Sequence, residues 1–221
     1  MFSTTIKRLS ERRDASGDAS ADAGFTLIEL MVVLLILAIL LAIAIPTFLG
    51  VTKSANDRAA QSNLNTAFLN AKAGYQTGGQ TYSQVTVASL STAEPSLQFT
   101  ASNSTGQGLI SVFPATDGNA IVLAAFSKSS NNCWYQIDNP SGNEGAVAPF
   151  AAHFQMNAAT VTVNTNTPAV AGALTFPDSQ AGTIYVEVKG DTNAADCSAS
   201  VPTVGATATN VEWTTTQFPA L

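Results

Sequence analysis

From Phe25 to Ile45 the chain reads FTLIELMVVLLILAILLAIAI, with Pro46 directly behind and no charge between Glu29 and Lys53. As an α-helix this run rises about 31 Å, close to the roughly 30 Å hydrocarbon core of a bilayer. A helix apolar on every face for that length has no wet side to offer solvent, so it is expected to span a membrane. Lys7, Arg8, Arg12 and Arg13 precede it, and only Lys53 and Arg58 lie close behind. That bias places the amino end in the cytoplasm and the bulk of the chain outside it.

Charge divides the chain at the same place. Residues 1–24 hold four basic and four acidic residues, so the net −6 belongs wholly to the remainder. An acidic remainder repels a phosphate backbone, and no basic run interleaved with aromatics is present, so no nucleic-acid partner is expected. Only 11% of residues are charged, which excludes a coiled coil and a highly charged disordered chain. Two cysteines cannot make a four-thiolate zinc site, and a single histidine, His153, leaves little for His-based catalysis.

Glu29 is the anomaly inside the apolar run. A carboxylate at membrane depth costs roughly 2.5–3.5 kcal/mol on insertion scales, so its retention calls for a partner. The run itself contains no base. Cleavage just before Phe25 would create a cationic α-amino group four residues from Glu29, on the same helical face. Within one chain the pair could interact; between staggered parallel chains the same two groups could neutralise each other and set an axial register. Two other readings stand beside this one. A secretory signal cut after Ala42-Ile43-Ala44 is disfavoured by the neutral leader, the long apolar run and Pro46. A plain single-span anchor would carry an extracytoplasmic binding or catalytic domain.

The stretch Gly24-Phe25-Thr26-Leu27-Ile28-Glu29-Leu30, followed by an apolar span with Pro46, resembles the class III leader and N-terminal helix of type IV pilins and pseudopilins. The resemblance covers about residues 8–55. It implies cleavage between Gly24 and Phe25 by a prepilin peptidase, N-methylation of Phe25, and helical assembly through residues 25–50. It also implies that Glu29 pairs with the amino terminus of a neighbouring subunit. The implied partners are identical or related pilin subunits, the peptidase, an inner-membrane assembly platform with its motor, and membrane lipid before assembly. The implied location is the cytoplasmic membrane first and the cell surface after assembly. A pseudopilin of a type II-like secretion system fits the same residues. Pro46 removes a helical donor and clashes with the preceding turn, so the helix is expected to kink, loosen or end there. Ser96-Leu97-Gln98-Phe99 after Glu94-Pro95, and Cys133-Trp134-Tyr135, are similar to segments of Gram-positive pilin-like proteins.

Beyond the span, Leu64, Phe68, Ala71 and Tyr75 make one apolar helical face, with Asn56, Asp57, Arg58, Gln61 and Asn65 on the wet side. Gly74, Gly78 and Gly79 are expected to end the helix. Strands are expected at Leu109–Phe113, Ala120–Phe126, Cys133–Ile137, Thr160–Val163, Leu174–Phe176, Thr183–Lys189 and Val211–Thr215, with a turn at Asp117-Gly118-Asn119. The expected fold is α+β: a leader 1–24, a transmembrane and assembly helix 25–76, and an antiparallel β-rich head 77–221. A second small β-module is expected from about 150.

Cys133 and Cys197 are expected to form a disulfide, since the head is extracytoplasmic and no other thiol exists. No nucleophile motif surrounds the serines and aspartates or His153, so no catalytic residue, cofactor or reaction is expected. Asp191-Thr192-Asn193-Ala194-Ala195-Asp196 has oxygen ligands suited to calcium but lacks the spacing and glycine of an EF-hand, and no metal is assigned to it. Asn103-Ser104-Thr105 is a glycosylation-type sequon of low specificity.

Overall fold

A computed structural model describes residues 25–140, 172–173, 181–200, 203–204, 209–214 and 216–218. The leader, His153 and the expected strand at Thr160–Val163 lie outside the described residues, as does Leu174–Phe176. The chain divides into two compact units, residues 1–47 and 48–221.

Helix α1 runs unbroken from Leu27 to Thr77. Pro46 does not end it. The proline lacks the N–H that would reach back one turn, and the Thr47 hydroxyl beside it donates to the carbonyls of Ile43 (3.1 Å) and Ala44 (2.9 Å). At the far end Gln80 N–H donates to Tyr75 O (2.9 Å), while Gly79 and Gln80 adopt positive φ, closing the helix with a left-handed cap.

In the second unit a short 3₁₀ turn (Tyr82–Gln84) leads to α2 (Val87–Ala93). Thr86 and Ser89 form a reciprocal capping box at its start. A six-stranded sheet follows. It comprises β1 (Gln98–Thr100), β2 (Leu109–Pro114), β3 (Ile121–Ser127), β4 (Asn132–Asn139), β6 (Gly182–Lys189) and β8 (Asn210–Thr214), adjacent in that order. The short strands β5 (Gly172–Ala173) and β7 (Thr203–Val204) pair separately. The main sheet is mixed, not purely antiparallel: β1 runs parallel to β2, and the other neighbours are antiparallel. Parallel pairing here follows from the connection 101–108, whose closing turn at 106–108 sets Leu109 beside Gln98 at the start of β1.

The sheet is covered on both faces. On one side Ala60, Leu64, Ala67, Phe68 and Ala71 of α1 pack with Ile110, Val112, Ile121, Leu123, Ala125 and Trp134. On the other, Val122, Ala124, Phe126, Tyr135, Ile137, Ile184, Val186 and Val188 pack with Cys133, Cys197 and Ala199. Strand β3 is therefore buried at all seven positions, which explains its continuous apolar run where a one-sided strand would alternate. The Cys133–Cys197 disulfide is formed. With its ends 64 positions apart in the chain, it contributes about 4 kcal/mol on the chain-entropy account. Around it Ser104 N–H donates to Cys197 O, Tyr135 Oη to Asp196 O, and Ala199 N–H to Ser111 Oγ. The 194–199 segment is thereby held over the second face.

Gly118 shows why the expected turn needs its glycine. Its φ is +76°, its carbonyl accepts from Tyr82 N–H at 2.6 Å, and a Cβ there would collide with the Thr81 hydroxyl.

Candidate functional site

The start of α1 is the first place to look, because the sequence concentrates its unusual features there. Thr26 precedes the helix and Glu29 lies in its first turn. Glu29 Oε2 accepts from Thr26 N–H (2.9 Å) and from the Thr26 hydroxyl (2.8 Å), while Glu29 N–H donates to Thr26 Oγ1 at 3.3 Å. Thr26-Leu27-Ile28-Glu29 is thus a capping box, the threonine and the acid each satisfying donors that a helix start leaves open. Its own first turn supplies Glu29 with two hydrogen bonds. Those donors are neutral, so they supply no counter-charge to the carboxyl. The Thr-x-x-Glu spacing was the signal for this cap in the sequence.

From Leu27 to Val51 every large apolar side chain is exposed, with Phe25 at 85% and Ile43 at 64%. The helix is long and apolar enough to cross a membrane, with a peak mean hydropathy of 3.2 over 18 residues and none of that window buried. Phe25 lies at the head of this surface, whereas Gly24 is outside the described residues. Pro46 sits within the exposed stretch. Glu29 and Pro46 are therefore on one helix but about 17 residues apart, and they do not form a common site.

Among the described residues the second unit holds four buried acids, Asp57, Asp138, Glu187 and Asp191. Asp57, expected on the wet side of α1, is only 4% exposed and accepts from Ser130 Oγ (2.5 Å) and Trp134 Nε1 (3.3 Å). Its position seven residues before Leu64 puts it on the core stripe, a signal the sequence carried. Asp138 on β4 receives Lys72 Nζ (2.7 Å), Tyr82 Oη (2.5 Å) and Thr183 Oγ1 (3.3 Å). Burial, then the Asp138 hydrogen bond and charge, push the Tyr82 phenol well above its ordinary range. These two acids tie α1 and the turn after it to the sheet.

Glu187 on β6 is fully buried. Its Oε1 accepts from Asn132 Nδ2 at 2.9 Å, and its Oε2, without a hydrogen bond, lies 3.5 Å from Lys189 Nζ. Burial pushes Glu187 up to about 8; Lys189 offsets part of this, while Glu212 and Asp57 add to it. Burial pulls Lys189 down, but its hydrogen bond to Glu212 (3.0 Å) and the charge of Glu187 outweigh that, leaving it raised. Sequence reasoning did not single out this cluster. Alternation along β6 marked Glu187 as sharing a face with Tyr185 and Lys189, but not that the face is covered.

In the loop weighed for calcium, Asp191 Oδ1 accepts from Asn193 N–H and Asp196 Oδ2 from Asn193 Nδ2. Among the described residues no group of three or more His, Cys, Asp or Glu side chains is placed to hold a metal. The sequon residue Asn103 donates its Nδ2 to Ala194 O at 3.3 Å.

The chain matches the model of the prokaryotic N-terminal methylation motif over residues 19–45. No curated protein and no solved structure matches it. The matched stretch ends where the apolar run ends, at Ile45, and contains both Phe25 and the Thr26–Glu29 cap. That motif opens a helix whose later turns pack on a mixed sheet, so in its first 45 residues the chain is similar to the prokaryotic N-terminally methylated proteins, and the arrangement behind them is consistent with a pilin-like fold.

Proposed function

We propose that the protein is a structural subunit of a type IV pilus-like surface filament. The observation that carries this reading is the conjunction of a methylation motif at 19–45 with a helix exposed and apolar around its whole circumference. In the reading, prepilin peptidase cuts between Gly24 and Phe25 and the new amino group is methylated. The subunit waits in the cytoplasmic membrane by residues 25–45. A motor then moves it into a bundle of like helices, where protein contacts replace lipid. Glu29 keeps its Thr26 cap and offers its residual charge to the amino terminus of a neighbour, which fixes the register. Pro46 marks where the helix lacks one backbone hydrogen bond and is easiest to loosen. No reaction is assigned to the chain itself.

The test is the mature N-terminus and the fate of two variants. The wild-type protein is expected to begin at Phe25 and to appear in long surface fibres by electron microscopy. Gly24→Arg is expected to retain residues 1–24. Glu29→Gln is expected to insert in the membrane but to yield at least tenfold fewer fibres, since one lost charge pair of about 1.4 kcal/mol already changes an equilibrium tenfold. A native chain still carrying Met1, or normal fibres from Glu29→Gln, defeats the reading. Processed protein confined to the membrane without fibres points to a secretion pseudopilin.

A further inference from the structure

The buried Glu187 carboxyl lies between an amine and a carboxamide on neighbouring strands. Asn132 on β4 and Lys189 on β6 each stand one residue beyond the Cys133–Val188 pair, so they face one another across the ladder. Glu187 touches both: Oε1 takes the Asn132 amide hydrogen at 2.9 Å, and Oε2 lies 3.5 Å from Lys189 Nζ. A third contact concerns the carbonyl. Gly190 N–H donates to Asn132 Oδ1 at 3.2 Å, which polarises the carbonyl and would hold negative charge developing on that oxygen.

We propose that Lys189 and Asn132 join in an intramolecular isopeptide bond between β4 and β6, with Glu187 carrying the protons. Lys189 first passes a proton to Glu187 Oε2, leaving a neutral amine beside a neutral acid. The Nζ lone pair attacks Asn132 Cγ, forming a C–N bond and placing the carbonyl electron pair on Oδ1 opposite Gly190 N–H. Glu187 delivers its proton to Nδ2 and takes the second proton from Nζ. As the Oδ1 pair returns, the Cγ–Nδ2 bond breaks. Ammonia leaves and acquires the remaining proton as ammonium. One ammonium ion is released per bond, and no oxidant, metal or cofactor enters.

The surroundings fit both roles of the acid. Burial of Glu187 without a hydrogen bond to Oε2 favours its neutral form, the form that can donate to a leaving amide. The reactants sit on adjacent paired strands, so little orientational freedom remains to be lost. Glu212 opposes the step: its hydrogen bond to Lys189 at 3.0 Å favours the ammonium over the nucleophilic amine. The other charge facing Glu187 is Asp57 on α1, which also favours the neutral acid. The bond would tie β4 to β6 beside the Cys133–Cys197 disulfide, giving the sheet two covalent ties near one end of β4. It does not depend on the filament reading.

Intact mass spectrometry of the full chain extracted in detergent is the test, followed by trypsin digestion. The expected mass is lower by one ammonia than the residues present and their disulfide require, and, since Lys128 and Lys189 have no Lys or Arg between them, digestion is expected to leave residues 129–221 as one internally looped peptide uncut after Lys189. Lys189→Arg and Glu187→Gln are each expected to restore the full mass, with formation of the Cys133–Cys197 disulfide reporting that they still fold. Glu212→Gln is expected to keep the bond and to complete it sooner in a time course after synthesis. A wild-type chain at full mass, with linear peptides cut after Lys189, overturns the proposal. So does an ammonia loss that persists in Lys189→Arg, which would place it elsewhere, or a bond that survives in folded Glu187→Gln.

Discussion

Helix α1 contains two regions of the same secondary structure and opposite environment. Between Leu27 and Val51 apolar side chains point in every direction and all are exposed. Between Asp57 and Ala71 the buried residues fall on one stripe, at positions 57, 60, 64, 67, 68 and 71, and the rest of the circumference is polar or small apart from Leu69. The difference lies in the solvent each half is built for. A helix in water must keep a wet face, whereas one in lipid needs only to satisfy its backbone and any polar side chain. The first half meets that second requirement locally, through the Thr26–Glu29 box and the back-bonding hydroxyls of Thr47 and Thr52. The second half satisfies its buried polar groups at long range, as Asp57 does with Ser130 and Trp134.

The sharpest way to break the comparison is to cut one large side chain from each region. Trp134→Ala removes the fully buried indole beneath α1 and one of the two donors to Asp57, leaving it Ser130, so the head is expected to lose about 3–5 kcal/mol. Leu35→Ala, in the exposed half, is expected to leave the denaturation midpoint of the head unchanged. Comparable losses from both would erase the distinction.

A smaller effect comes from Glu187. Its folded-state pKa, near 8, lies above the ordinary 4.5, so the folded head holds more protons than the unfolded chain between those values. Stability contributed by the neutral acid is therefore present at low pH and is lost as pH rises from about 4.5 to about 8. Denaturation midpoints measured across that window are expected to fall in the wild type. In Glu187→Gln the slope should flatten, by an amount on the order of a few kcal/mol over the range.

The smallest expected effect is at the helix start. Thr26→Ala removes the N-cap hydroxyl and should weaken the first turn by about 1 kcal/mol. Faster amide exchange at residues 28–30 in detergent micelles, with unchanged head stability, would show that the exposed half is held by local interactions alone. A drop in head stability would contradict that.

Much of this was legible residue by residue. The apolar run, its acid, the motif around Gly24 and Phe25, and the pairing of Cys133 with Cys197 needed only side-chain chemistry and the two available thiols. The strands β2, β3, β4, β6 and β8 appeared within a residue or two of their alternating or apolar runs. Strand β1 did not, because three residues carry no periodicity and its parallel pairing depends on a partner from beyond the next turn. Helix α2 was missed because Val87–Ala93 is seven residues of which all but Leu90 are small or β-branched, specified mainly by its Thr86–Ser89 cap. Asp57 was misplaced because its charge was allowed to outweigh its position on the stripe.

That residues 25–45 are long and apolar enough to cross a membrane is dictated by the sequence itself, because an uninterrupted apolar run has a transfer free energy that sums over residues whatever they later touch. Which acids are buried, which strands neighbour one another, and that Glu187 stands between Asn132 and Lys189 were decided only by the tertiary structure. Those facts depend on pairings between segments tens of residues apart, and burial and electrostatics follow from what covers a side chain as much as from the side chain itself.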